Sequence, residues 1–225
     1  MQLKRTLPLA AALATMALAS TSAMALASYG DVAAPGVYFG TGNVNGNWTM
    51  DTDSGVEVAL RAKNRQTLQT IDGSSGTYMA ELGACLTCSG APKAMWSYEF
   101  SVNSGSLSGV TYLLGIDHDP SAGVSYSWVD PAAHWADNAI AAAPFNGFQN
   151  SQNVLFASTP GGPFDVNMAG LYSVTLQAWN NTSMLASTTM NVQVGAVPEP
   201  ETYALMFAGL GVLGFVARRR ARKQA

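Results

Sequence analysis

Charge is scarce in this chain: Asp, Glu, Lys and Arg make up 11% of its 225 residues, where an ordinary soluble domain carries about a quarter. Positive charge is scarcer still away from the ends. Lys4 and Arg5 sit at one terminus and Arg218, Arg219, Arg220, Arg222 and Lys223 at the other, so residues 28–197 keep only Arg61, Lys63, Arg65 and Lys93. Four bases set against twelve acids leave that body at −8, which repels DNA, RNA and anionic headgroups and excludes nucleic acid as a partner. Cysteine is confined to one pair, Cys85 and Cys88. Catalytic signatures are missing as well: the body holds no Gly-x-Ser-x-Gly elbow, no His-Glu-x-x-His pair and no P-loop. No enzymatic activity is therefore expected, although two carboxylates distant in sequence would escape such a search. Apolar residues are plentiful at 48%, too many for a disordered chain, and a body of this length suits one domain with one core.

Both termini read as addresses. Lys4 and Arg5 precede an apolar run from Leu7 to Ala19, followed by small residues that offer Ala23-Met24-Ala25 or Ala25-Leu26-Ala27 for cleavage. This is the layout of a secretory signal peptide over residues 1–27, which implies the Sec translocon and signal peptidase as partners. At the other end Val197, Pro198, Glu199, Pro200 and Glu201 lead into an apolar stretch from Tyr203 to Ala217, then into the basic cluster. The prolines deny helix entry before the stretch. As a helix that stretch covers about 22 Å, short of a hydrocarbon core near 30 Å unless the bilayer thins or the arginines snorkel. The basic cluster predicts a cytoplasmic C-terminus. The string Gly209-Leu210-Gly211-Val212-Leu213-Gly214 matches a dinucleotide fingerprint in letters only, since no strand precedes it and no acid follows at the required distance.

Residues 196–225, with the Pro198-Glu199-Pro200 tripeptide, the Gly-rich apolar run and the Arg cluster in that order, resemble the PEP-CTERM sorting signal of exported Gram-negative bacterial proteins. The resemblance implies an exosortase as processing enzyme, an inner-membrane intermediate held by the C-terminal helix, and a final place at the cell surface or outside the cell, often among exopolysaccharide and biofilm. It implies no biochemical activity. The phrases Ile116 to Gly123, Val129-Asp130-Pro131, His134 to Asn138, Gln149 to Asn153 and Leu185 to Thr188 resemble an uncharacterised class of such proteins, which again implies one exported domain and no chemistry.

Period-two alternation recurs through the body: Val56, Val58, Leu60; Trp96, Tyr98, Phe100, Val102; Val110, Tyr112, Leu114, Ile116; Tyr172, Val174, Leu176, Ala178; and Ala186, Thr188, Met190, Val192, Val194. Alternation of this kind marks half-buried antiparallel strands, and turn clusters separate the runs. The expected fold of residues 28–195 is all-β, an antiparallel β-sandwich or jelly roll of about eight to ten strands. Gly170 to Trp179 and Met184 to Val194 should form its last hairpin around Asn180 to Ser183, with one short helical turn near Pro131.

Candidate site residues are few. Cys85 and Cys88, in an exported chain, predict a disulfide pinching a surface loop; redox work and a zinc site shared with His118 and His134 are the alternatives, and nothing in the spacing supports the zinc site. Asp117, Asp119, Asp130 and Asp137 supply the oxygen ligands a calcium ion prefers, yet the same residues with Pro120 and Pro131 are ordinary turn formers. Trp128 and Trp135 flank this acidic stretch and are the tryptophans expected to be exposed for stacking on sugar, whereas Trp96 belongs to a core-facing run. The reading that results is a non-enzymatic surface or matrix protein displaying loops to extracellular polysaccharide or to other matrix proteins, with a calcium- or carbohydrate-binding module and a secreted hydrolase as alternatives.

Overall fold

The structure is a computed structural model that describes residues 27–33, 44–90, 92–105, 107–121, 123–135, 139–140, 147–156, 159, 161–162, 164–195 and 208–210. The expected signal peptide up to residue 26, the tag residues Val197 to Glu201, the basic cluster Arg218 to Lys223 and Asp137 lie outside these. Of the expected C-terminal helix, residues 208–210 are described and helical, and no helix among the described residues is long and apolar enough to cross a membrane.

The strands are β1 (Ser28–Gly30), β2 (Trp48–Asp53), β3 (Val56–Asn64), β4 (Thr77–Ala80), β5 (Trp96–Asn103), β6 (Val110–Asp117), β7 (Tyr126–Val129), β8 (Ala139–Ile140), β9 (Gly147–Asn153), β10 (Gly170–Asn180) and β11 (Ser183–Val194), with one short helix, α1 (Pro131–Trp135), between β7 and β8. They form two sheets, β1-β2-β3-β5-β9-β8 and β4-β11-β10-β6-β7, packed over one hydrophobic core. The alternating sets point inward as their periodicity predicts: Val58, Leu60, Tyr98 and Phe100 from the first sheet meet Leu114, Ile116, Val174, Leu176 and Val192 from the second, all at most 1% exposed.

The closing hairpin forms where the sequence places it. β10 and β11 pair from Gly170↔Val194 to Asn180↔Ser183, and Asn181 turns the chain at φ 46°, a conformation asparagine tolerates better than most residues. Two features depart from the expectation. Eleven strands are described rather than eight to ten, because β1 and β8 are too short to leave a periodic signal. The sheets are also not wholly antiparallel: β4 lies parallel to β11, Thr77 beside Asn191 and Ala80 beside Val194. β4 has no hairpin mate in the sequence, since the chain after it crosses to the first sheet through the loop closed by the Cys85–Cys88 disulfide, whose Cα atoms are 5.5 Å apart.

The first sheet is buried on both faces. Residues alternate with the core set on β3 and β5 (Glu57, Arg61, Lys63, Ser97, Glu99, Ser101), and their type suggests a solvated face, yet each is at most 6% exposed. Charge is neutralised within this layer. Arg61 and Glu99 are direct cross-strand partners, with Nε donating to Oε2 at 2.6 Å, and Lys63 Nζ stands 3.4 Å from the other carboxylate oxygen. The Arg61 guanidinium also donates through Nη1 to the carbonyls of Val44 and Gly46 and lies 4.2 Å from the centre of the Trp48 ring. Glu57 accepts the Ala33 amide at 2.9 Å, and Asn45 joins Val32 to the Trp48 indole. The described parts of the cover, residues 31–33 and 44–47, are thus bonded to charges of the sheet itself.

Tyr78 fastens one sheet to the other. From β4 its ring crosses the sandwich, and its hydroxyl donates to the Asn47 carbonyl at 2.8 Å while accepting the Thr49 amide at 3.1 Å. Gly73 closes over the ring so tightly that a Cβ there would stand 2.4 Å from a ring carbon, which explains a glycine at a position with ordinary φ. Farther along β2 Asp51 accepts the Ser187 amide at 2.9 Å, linking β2 to β11.

Two outcomes follow from this packing. Glu99→Gln leaves two buried cations without their carboxylate and should cost about 3–5 kcal/mol in urea unfolding; a loss below about 1 kcal/mol would mean that other groups balance the pair. Burial pushes the Tyr78 hydroxyl up to about 12 from 10.0, so above pH 10 the unfolded chain loses its proton first. Stability is then complete below that pH and falls towards pH 12, by up to about 1.4 kcal/mol per unit for each such tyrosine. Tyr78→Phe should flatten the fall in urea midpoint across this range, and an unchanged slope would contradict the assignment.

Candidate functional site

Of the aspartates expected as calcium ligands, the three that are described each accept backbone amides. Asp117 ends β6 and is 4% exposed; its Oδ1 accepts the Asp119 amide at 3.4 Å. Asp119 accepts the Ser121 amide at 2.8 Å, and hydrogen bonds from the Ser121 hydroxyl and amide hold its carboxyl below the usual range. Asp130 caps α1, accepting the amides of Ala132 and Ala133 at 2.8 and 3.3 Å, the task for which a short acidic side chain before Pro131 is suited. Among the described residues no three or more His, Cys, Asp or Glu side chains gather closely enough to hold a metal ion. The sulfurs of Cys85 and Cys88 are bonded to each other and therefore cannot ligate zinc. His118 packs against Phe164, ring centres 6.3 Å apart, and His134 is exposed on α1.

The two tryptophans expected at the surface part company. Trp135 is buried at 6%: α1 turns its last residue inward, where the indole lies 6.2 Å from the Phe100 ring and its carbonyl accepts from Asn150 at 3.0 Å. That expectation is corrected; five residues of helix suffice to swing the side chain from the loop into the end of the sandwich. Trp128 is 45% exposed. It stands on β7 opposite Gly115 of β6, and a Cβ on that glycine would reach within about 3.0 Å of both the indole and the Thr175 methyl. The missing side chain is therefore what lets the ring settle on the sheet.

Around Trp128 the outward face of the second sheet carries rings and bonded polar groups. Tyr126, two residues back and hence on the same side, meets Trp128 edge to face with centres 5.3 Å apart. Its hydroxyl is raised, chiefly by burial, and lies within hydrogen-bonding reach of Thr189 and Ser173. The cross-strand pairs Thr175↔Thr189 and Ser173↔Asn191 are bonded through their side chains at 2.9 and 2.8 Å. Farther along β10, Trp179 donates its indole N–H to Gln177 at 3.0 Å. Among the outward positions of these strands the only charge is that of Asp117. The face thus sets aromatic rings among hydroxyls and amides, with Leu113, Leu171 and Met79 also exposed on it, and is nearly free of ions. Sequence periodicity alone places Tyr126 beside Trp128; it gives no sign of Gly115, Thr175 or Thr189, whose part depends on strand pairing.

No curated protein and no solved structure matches the chain. Residues 196–220 match the family model of the PEP-CTERM protein-sorting motif. The last described strand ends at Val194 and the chain leaves the sheet at Gly195, directly before that stretch, so the body is followed by a PEP-CTERM protein-sorting motif.

Proposed function

We propose that this is a non-enzymatic surface or matrix protein whose body holds neutral extracellular polysaccharide on the outward face of its second sheet. The observation that carries the reading is the seat of Trp128, an exposed indole lying on Gly115 within a field of hydroxyl and amide groups. Sugar rings present flat C–H faces to an aromatic ring and hydroxyls to Thr, Ser, Asn and Gln, so a nearly uncharged face with both kinds of group suits a neutral glycan. A binder on the cell exterior needs no lid or deep cleft, since affinity for a polymer accumulates over many weak contacts.

Processing belongs to the same reading. Secretion by the Sec route, transient holding by the apolar stretch from Tyr203 to Ala217 and action of an exosortase at Pro198-Glu199-Pro200 would deliver the sandwich to the matrix.

The full chain, purified in a neutral detergent, should co-sediment saturably with the insoluble exopolysaccharide of the producing organism. Trp128→Ala should weaken retention by about tenfold, and EDTA should change nothing. Retention independent of Trp128 would refute the face, and EDTA sensitivity would transfer the binding to Asp117 and Asp119. In the producing cells, Glu199→Ala should leave the chain in the membrane fraction with its C-terminal epitope intact. Normal loss of the epitope would contradict exosortase processing at this motif.

A further inference from the structure

The body's four basic residues divide into two pairs with opposite fates. Arg61 and Lys63 are consumed by Glu99 inside the first sheet's outer layer. Arg65 and Lys93 make no ion pair with any carboxylate among the described residues, and both line one cavity of about 270 Å³ beside the disulfide. Lys93 is only 9% exposed, and its ammonium donates to the Ser89 carbonyl. An ammonium so far withdrawn from water without a carboxylate partner among the described residues is costly, and it shares this cavity with Arg65 in a body whose net charge is −8.

The walls of this cavity are stitched together by backbone. Arg65 N–H donates to the Met95 carbonyl at 2.7 Å, Cys85 N–H to the Lys93 carbonyl at 2.8 Å and Met95 N–H to the Gly83 carbonyl at 3.0 Å. Cys88 Sγ lies 3.4 Å from the Arg65 carbonyl oxygen. The disulfide turn and the segment carrying Lys93 are thereby fixed against the end of β3, so the two cations stand in a preformed recess. Gln66, Thr87 and Ser89 also line it, with amide and hydroxyl side chains, and Leu68, 56% exposed, adds an apolar wall.

We propose that this recess binds the carboxylate of a uronic acid residue in an acidic glycan. A guanidinium presents the paired donors that a carboxylate accepts, the ammonium supplies a second charge, and the polar wall suits the remaining sugar hydroxyls. The volume is below the range of extended ligand sites and matches a single sugar-sized group. The proposal rests on the reading of the protein as a glycan binder but uses a different surface from the Trp128 face, so the two can fail separately.

The test is calorimetric titration of the full chain in neutral detergent with a glucuronate tetramer, a glucose tetramer and inorganic phosphate. The glucuronate tetramer should bind saturably and more weakly as salt is raised, Arg65→Gln should reduce its affinity by about tenfold or more, Trp128→Ala should leave it unchanged, and the glucose tetramer should give no response that depends on Arg65. Absence of saturable heat with glucuronate, an affinity indifferent to Arg65→Gln, or phosphate competing as well as glucuronate would each overturn the assignment. Loss of retention on neutral polysaccharide with uronate binding intact would refute the Trp128 face alone.

Discussion

Glu99 is the group on which the arrangement of this molecule turns. It lies in the middle of β5, with no exposed surface, between Arg61 and Lys63 of the neighbouring strand. Two cations and one carboxylate in a dry layer are tolerable only when their hydrogen bonds are directed. Here Arg61 Nη1 donates to the carbonyls of Val44 and Gly46. The same charges that would otherwise demand water thus draw residues 44–47 over the first sheet. The outward side chains of β3 and β5 are thereby kept from water.

The two sheets differ in composition. In the first, charged residues are internal and paired; in the second, the outward positions carry Thr, Ser, Asn, Gln and aromatic rings together with a few exposed aliphatic side chains, and the Thr175–Thr189 and Ser173–Asn191 pairs are bonded across strands. A row of hydroxyls already satisfied by one another costs little to desolvate when a sugar ring displaces water from Trp128, because the buried polar atoms retain partners. The other two basic residues of the body, Arg65 and Lys93, line the recess beside the disulfide, away from β7 in the strand order. A neutral polymer surface and a small cationic recess can therefore coexist on a strongly acidic body.

The sequence is most informative where a single strand decides the outcome. Period-two runs such as Tyr172, Val174, Leu176 identify both the strands and their inward faces, and Asn180 to Ser183 locates the final turn. It fails where the deciding partner is distant. The burial of Arg61, Lys63 and Glu99 is invisible because their types imitate a solvated face, while the residues that cover them lie elsewhere in the chain. The parallel placement of β4 beside β11 brings Thr77 next to Asn191, a pairing no local pattern announces. Trp128 is legible as an exposed aromatic, whereas its seat depends on Gly115, and Trp135 is misread because a one-turn helix reverses its direction. The sorting motif is legible in full, since it is recognised as chain order rather than as a fold.

The proposed glycan site lies on the second sheet's outward face and not on its loops. Hydroxyl-radical footprinting of the full chain, free and bound to the neutral exopolysaccharide, tests it directly. Trp128 and Tyr126 should lose reactivity on binding while Leu86, 93% exposed on the disulfide loop, keeps its own. Equal oxidation of Trp128 in both states, with protection confined to the loops, would contradict the account.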